Sequence, residues 1–296
     1  ISRGGGKTNK AILSLPNICQ NGRIRMTEQG EVITYRYGSP EIAKRHLEQI
    51  INAQLLGLIE QSVYSNEKIT FMKQIVNDSM KTYKEKIINE DCWNYFTNAS
   101  PINHISKIPI TSRPASRDEI IEKLSGFDNL RAIPWVFSWT QMRYNLSGWF
   151  GLGTALEKEI NQRSNLIELR NFYKKSKFFK QLMDNMSFEM ARSRLNISQL
   201  YASKEEEKDF HSIIENEFNL CLDAYKKITG FNELLERNKV ISNSIDFRNP
   251  MTDLLNIIQI ELLKRWRLNK NNSDKEIDNS IFMSINCIAA AMQTTG

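Results

Sequence analysis

Residues Leu130 to Gln141, LRAIPWVFSWTQ, constrain this chain more than any other stretch. Arg131 stands just ahead of an apolar, aromatic run made by Ile133, Trp135, Val136, Phe137 and Trp139, broken only by Pro134. A run of that composition is expected to be buried. A guanidinium at its edge then needs an anionic partner, because a charge taken out of water without one is strongly unfavourable. Two partners meet that requirement on this stretch alone: an internal carboxylate in a structural salt bridge, or a bound anion.

The chain around it has 296 residues, enough for a large buried core in one body. With 25% charged and 41% hydrophobic residues the composition is that of a soluble globular protein. The net charge of +6 is spread through alternating lysines, arginines and acids, which does not call for nucleic acid. The segment Arg170 to Lys180 (RNFYKKSKFFK) is the best polyanion candidate, but its composition favours a helix with a solvated basic face. Cys19, Cys92, Cys221 and Cys287 have no metal spacing and read as reduced thiols of a cytoplasmic protein. His46, His104 and His211 are equally scattered, so no metal site is expected from this chain's own residues. The apolar run Ile281 to Met292 is too short to span a bilayer, and no membrane association is expected. The opening Ile1, followed at once by Arg3-Gly4-Gly5-Gly6, suggests a piece of a longer protein.

Gly6-Lys7-Thr8 is not a phosphate loop, since Ile1 stands where the pattern needs another glycine. The consecutive glycines could still expose N–H groups to an anion beside Arg3, or form a flexible end. Residues Ile24 to Tyr37 read as one or two short strands. After Ser39-Pro40, Leu47, Ile50, Ile51, Leu55, Leu58 and Ile59 form a helical stripe. A second helix turns Ile69, Met72, Ile75, Val76, Tyr83 and Ile87 inward. From Asn98 to Arg117, three prolines and many small polar residues predict a long loop carrying Arg113 and Arg117. Capping boxes begin at Ser116, Ser203 and Ser273, and Ile277, Ile281, Ile285, Ile288 and Met292 stripe the last helix. Nothing divides the chain, so residues 1–296 are expected to form a single, mainly α domain with a few short strands.

Several motifs, in order, resemble phosphoenolpyruvate carboxylase. Arg3-Gly4-Gly5 is similar to the second arginine of that family's glycine-rich active-site loop, followed by RMTEQGEVI from Arg25. Thr111 to Arg117 (TSRPASR) resembles its mobile SRPxKR loop, and LRAIPWVFSWTQ and WFGLGTA (Trp149 to Ala155) come next. Met190 to Tyr201 resembles the family's AK-S-D segment. Arg248-Asn249-Pro250 leads to Leu255-Asn256, and the chain closes on AAAMQTTG. The resemblance runs nearly end to end and corresponds to roughly the C-terminal third of that enzyme. It implies the helical C-terminal part of an α/β barrel, carrying a few short barrel strands, with the active site at the strand C-termini.

The resemblance further implies carboxylation of phosphoenolpyruvate by bicarbonate to oxaloacetate and phosphate, an anaplerotic supply for the tricarboxylic acid cycle. Mg²⁺ or Mn²⁺ would be held by residues outside this segment, as would the catalytic histidine. Arg131 would hold the substrate phosphate. Arg113 would sit at the active-site rim, and Arg3 would lie between the active and inhibitory sites. The allosteric aspartate or malate site would fall on Arg3, Arg192, Arg248 and Thr294, in a cytoplasmic homotetramer when the enzyme is complete.

This sequence departs from the family pattern where the effector would bind. The inhibitor-site lysine is Arg192, the asparagine before the final Thr-Gly is Thr294, and the aspartate two positions past the lysine is Arg194. Arginine keeps the charge but not the shape of lysine, and threonine lacks an amide that both donates and accepts. These changes weaken the expectation of feedback inhibition while leaving the substrate arginines in place. They motivate a second class, a non-catalytic regulatory or interaction protein that binds dicarboxylates.

Overall fold

The computed structural model describes residues 64–107, 126–127, 130, 132–202, 205–268 and 274–292. Helices dominate: α1 (Asn66–Ile87), α2 (Glu90–Ala99), α3 (Ile102–Ile105), α4 (Ala132–Gln141), α5 (Leu152–Ile160) and α6 (Arg163–Lys175). Then come α7 (Lys177–Arg192), α8 (Leu195–Ser198), α9 (Glu205–Thr229), α10 (Lys239–Leu268) and α11 (Lys275–Met292). Single 3₁₀ turns lie at Leu146–Gly148 and Gln199–Tyr201. Among the described residues only Leu130 takes part in a β-bridge. The strands expected between Ile24 and Tyr37, the helix after Pro40 and the cap at Ser116 lie outside the described residues. No described helix is long and apolar enough to cross a membrane.

The mainly α architecture follows from apolar residues recurring at helical spacing. On α11, Ile281, Ile285, Ile288 and Met292 are all buried, and this face packs along α10. On α1, Ile75 and Ile87 are buried, and Ile69, Met72 and Tyr83 are half-buried. Val76 points outward instead, 49% exposed, because it sits one residue past the inward position of its turn.

Three local expectations are corrected. The stretch predicted as loop from Asn98 is helical at its start, since α2 runs through Ala99 and α3 follows Pro101, and residues 108–117 lie outside the described residues. Burial of Tyr95, Phe96, Ala99, Ile102 and Ile105 outweighs the loop-forming composition. The basic segment Arg170 to Lys180 is two helices: Ser176 ends α6 and then caps α7, its Oγ accepting from the Phe179 N–H at 2.9 Å. The last helix is capped by Asp274, whose Oδ1 accepts from the Glu276 and Ile277 N–H groups. Ser273 and Ser203 lie outside the described residues.

Residues Ala132 to Gln141 of the LRAIPWVFSWTQ stretch form α4, which contributes Phe137 and Trp139 to the main hydrophobic core. Phe137 and Trp139 are buried and Trp135 is partly so, while Val136 is 38% exposed on the outer face. Trp139 stacks on Tyr95 with ring centres 6.0 Å apart and meets Phe96 at 5.3 Å. Helices α5 and α9 cross closely at Gly153, where a Cβ would lie 2.6 Å from the Cys221 nitrogen. Glu217 of α9 fixes the start of α5, one carboxylate oxygen accepting from the Gly151 and Thr154 N–H groups at 3.0 Å each. An acid at that position complements the exposed N–H groups of a helix start.

Candidate functional site

Immediately after α4 the backbone turns through Arg143 and Asn145, which have φ of 67° and 48°. Positive φ is unfavourable for residues with a Cβ, so the surroundings must hold them there. Two hydrogen bonds do so from the end of α7: Ser193 Oγ donates to the Tyr144 carbonyl at 2.6 Å, and the Arg194 N–H donates to the Arg143 carbonyl at 2.9 Å. The turn after α4 and the turn after α7 are thereby joined, which places Arg143, Arg192 and Arg194 on one side of the fold.

Helix α10 supplies the opposite wall. Phe188 and Ala191 of α7 pack with Leu235, Ile241 and Ile245 in a small apolar cluster that brings α7 against the first half of α10. Between them lies a small, open pocket lined by Arg143, Arg192, Ile245, Arg248, Asn249, Thr252 and Met292. Three guanidinium groups therefore converge on one concave site, with no carboxylate among these lining residues.

Arg143 is 2% exposed. Its Nη1 donates to Asp253 Oδ1 at 2.8 Å and more distantly to Asn256, and its Nη2 donates to Asn249 Oδ1 at 2.8 Å. Asp253 divides its charge, since Oδ2 accepts from Arg194 Nη2 at 2.7 Å. Burial pulls the Arg143 guanidinium down to about 10, against the opposing pull of Asp253. It stays protonated at neutral pH. The Nε atoms of Arg143 and Arg194 are buried with no hydrogen-bond acceptor among the described residues. Arg192 Nη1 contacts both Glu189 oxygens, at 3.1 and 3.3 Å, and its guanidinium lies 5.3 Å from the centre of the Phe188 ring. Arg248 Nη1 donates to Ser244 Oγ at 3.0 Å, one turn back on α10.

A buried polar network fixes α10 to the same turn. Asn256 Nδ2 donates to the Gln141 carbonyl at 2.7 Å and to Tyr201 Oη at 2.8 Å. Gln259 Nε2 donates to Gln141 Oε1 and Ser284 Oγ, both at 3.1 Å, and Gln141 Nε2 donates to the Ile285 carbonyl. Fully connected networks of this kind set one relative position for the elements they join.

Of the expected site residues, Arg192 and Arg248 are brought together on this pocket. Arg3, Arg113, Arg131 and Thr294 lie outside the described residues. Arg143 and Asp253 were missed, although Arg143 follows the last residue of the aromatic run, Trp139, by four positions and needs an internal partner by the same logic applied to Arg131. No group of three or more His, Cys, Asp or Glu side chains among the described residues could hold a metal ion. The described residues therefore do not fit a divalent cation. His104 pairs with Asp278 at 2.8 Å between Trp266 and Phe282, while His211 Nδ1 meets Tyr144 Oη at 2.7 Å. Both histidines are buried.

The family model described as phosphoenolpyruvate carboxylase matches residues 1–296. A phosphoenolpyruvate carboxylase of Rhodothermus marinus is 42% identical over 305 aligned positions, covering all of this chain and 32% of the relative. One of Corynebacterium glutamicum is 35% identical over 309 positions, covering all of this chain and 33% of that relative. The chain thus spans about a third of the length of the curated relatives it matches.

Proposed function

The chain belongs to the phosphoenolpyruvate carboxylase family, and from that premise we propose that it supplies the C-terminal third of an enzyme carboxylating phosphoenolpyruvate with bicarbonate. Bicarbonate attacks the phosphate, giving carboxyphosphate and the enolate of pyruvate. Carboxylation of the enolate then yields oxaloacetate and releases phosphate. Every species in that sequence is an anion, so guanidinium groups held in a low-dielectric site are the suitable partners for the charge it develops. In this reading Arg131 grips the substrate phosphate, Arg113 lies at the rim, and the metal and catalytic histidine come from the rest of the enzyme.

The pocket between α7 and α10 is, in the same reading, the effector site. The observation that supports it is the meeting of Arg192 and Arg248, from two separate helices, beside the buried Arg143. Three cations with no carboxylate on the lining suit a ligand carrying two carboxylates, such as malate. Arg3 and Thr294 would complete its walls.

Residues 1–296 alone are expected to form no oxaloacetate. Activity should return when they are joined to the preceding two thirds of a relative, measured by coupling oxaloacetate to NADH oxidation through malate dehydrogenase. Turnover by the chain alone would overturn the division of labour proposed here. In the complete enzyme, Arg131→Ala should lower kcat/KM by orders of magnitude, because a bidentate guanidinium–phosphate contact in a dry site contributes about 3 kcal/mol or more. Near-normal kinetics would refute its role.

A further inference from the structure

We propose that Glu189 is an affinity-setting residue of the arginine pocket, an internal carboxylate that occupies Arg192 and competes with any anion entering the site. The inference rests on the reading of that pocket as a dicarboxylate site.

Three observations carry it. First, Glu189 stands three residues before Arg192 on α7, and both of its oxygens lie on the same nitrogen, Nη1. A ligand carboxylate that engages the guanidinium fork through Nη1 competes with Glu189 for the N–H groups of that nitrogen. Second, the Glu189 stem is held in place. A Cβ on Gly148 would fall 2.4 Å from Glu189 Cγ and 2.6 Å from its Cβ, so the side chain lies in a notch that only glycine leaves open. Third, Phe188 lies against the Arg192 guanidinium, which is thus positioned by two residues of its own helix before any ligand arrives.

The neighbouring charges leave this role to Glu189. Asp253 is turned toward Arg143 and Arg194, and Arg143 and Arg248 add positive charge on the pocket side. Arg192 is 13% exposed and Glu189 26% exposed at the side chain. Their attraction is therefore only partly screened by water, and a second anion beside Glu189 meets like-charge repulsion as well.

The test is calorimetric titration of the 296-residue chain with L-malate, comparing Glu189→Gln, Glu189→Ala, Arg192→Met and the Glu189→Gln/Arg192→Met double variant. Both Glu189 variants should bind malate more tightly, by about fivefold, as expected for releasing a partly exposed ion pair. In the Arg192→Met background, Glu189→Gln should tighten binding by clearly less than fivefold, because the contested guanidinium is gone and only the like-charge repulsion is relieved. Measurable binding by the unaltered chain without tightening in either Glu189 variant would overturn this inference and leave the pocket reading intact. No heat of binding in any of the proteins would overturn both.

Discussion

Replacing Asp253 by asparagine should be among the most damaging single changes in the described fold. The carboxylate holds Arg143, which is 2% exposed, and Arg194, which is about a third exposed. Removing one partner of a buried ion pair costs about 3–5 kcal/mol, mostly because the other charge stays buried without compensation. Asn249 and Asn256 still accept from Arg143, which favours the lower end, and Arg194 can turn toward water and adds little. A loss of about 3 kcal/mol is therefore expected. At roughly 2.1 cal/mol/K per residue of unfolding entropy, a chain of this size should lose about 5 °C in Tm. Urea unfolding followed by circular dichroism gives the first number and a thermal scan the second. The exposed pair Lys158–Asp78 is the control, with Lys158→Ala costing at most ~0.5 kcal/mol. If the damage comes from stranding Arg143, Asp253→Leu combined with Arg143→Met should be milder than Asp253→Asn alone. An Asp253→Asn chain within ~1 kcal/mol of the original, or a double variant worse than the single one, would refute this account.

Other perturbations test other parts of the fold. Gly153→Ala would push a Cβ onto the α9 backbone beside Cys221 and should destabilise by about 1–3 kcal/mol in urea unfolding, with little change if α5 and α9 can move apart. Glu217→Ala would strip the acceptor from the start of α5 and should cost about 2 kcal/mol, visible by calorimetry, whereas Glu217→Gln should keep part of it. Burial holds the pKa of His104 and of His211 below the ordinary histidine value, for His104 in spite of Asp278. Between those depressed values and about 6.5 the unfolded chain binds more protons, so stability is fully present above about pH 6.5 and declines as pH falls below it. Urea midpoints at pH 7.5 and 5.5 should converge in a His104→Gln/His211→Gln chain, and an unchanged pH difference would count against this assignment.

The helical architecture was legible wherever burial follows a single helical face. The stripe on α11 is the clearest case, because one face meets α10 along its length. The stretch after Asn98 was not legible, since its prolines and small residues describe the backbone's options and say nothing of the tertiary burial that decides among them. Arg192 and Arg248 were found through resemblance alone, and their meeting depends on a long-range contact between α7 and α10 that no local spacing encodes. Arg143 could have been found locally. Its left-handed backbone and its bond to Asp253 are tertiary facts, but a cation adjoining a buried aromatic run always demands an acceptor.

Asp253 also has an evolutionary consequence. One carboxylate on α10 serves arginines that follow two other helices, so positions 143, 194 and 253 cannot drift independently. A lineage that loses the acid is left with a stranded guanidinium at 143, and one that loses Arg143 leaves Asp253 to Arg194 alone. Related sequences should therefore show these three positions changing together, as an epistatic set whose members are far apart in the chain and adjacent in the fold.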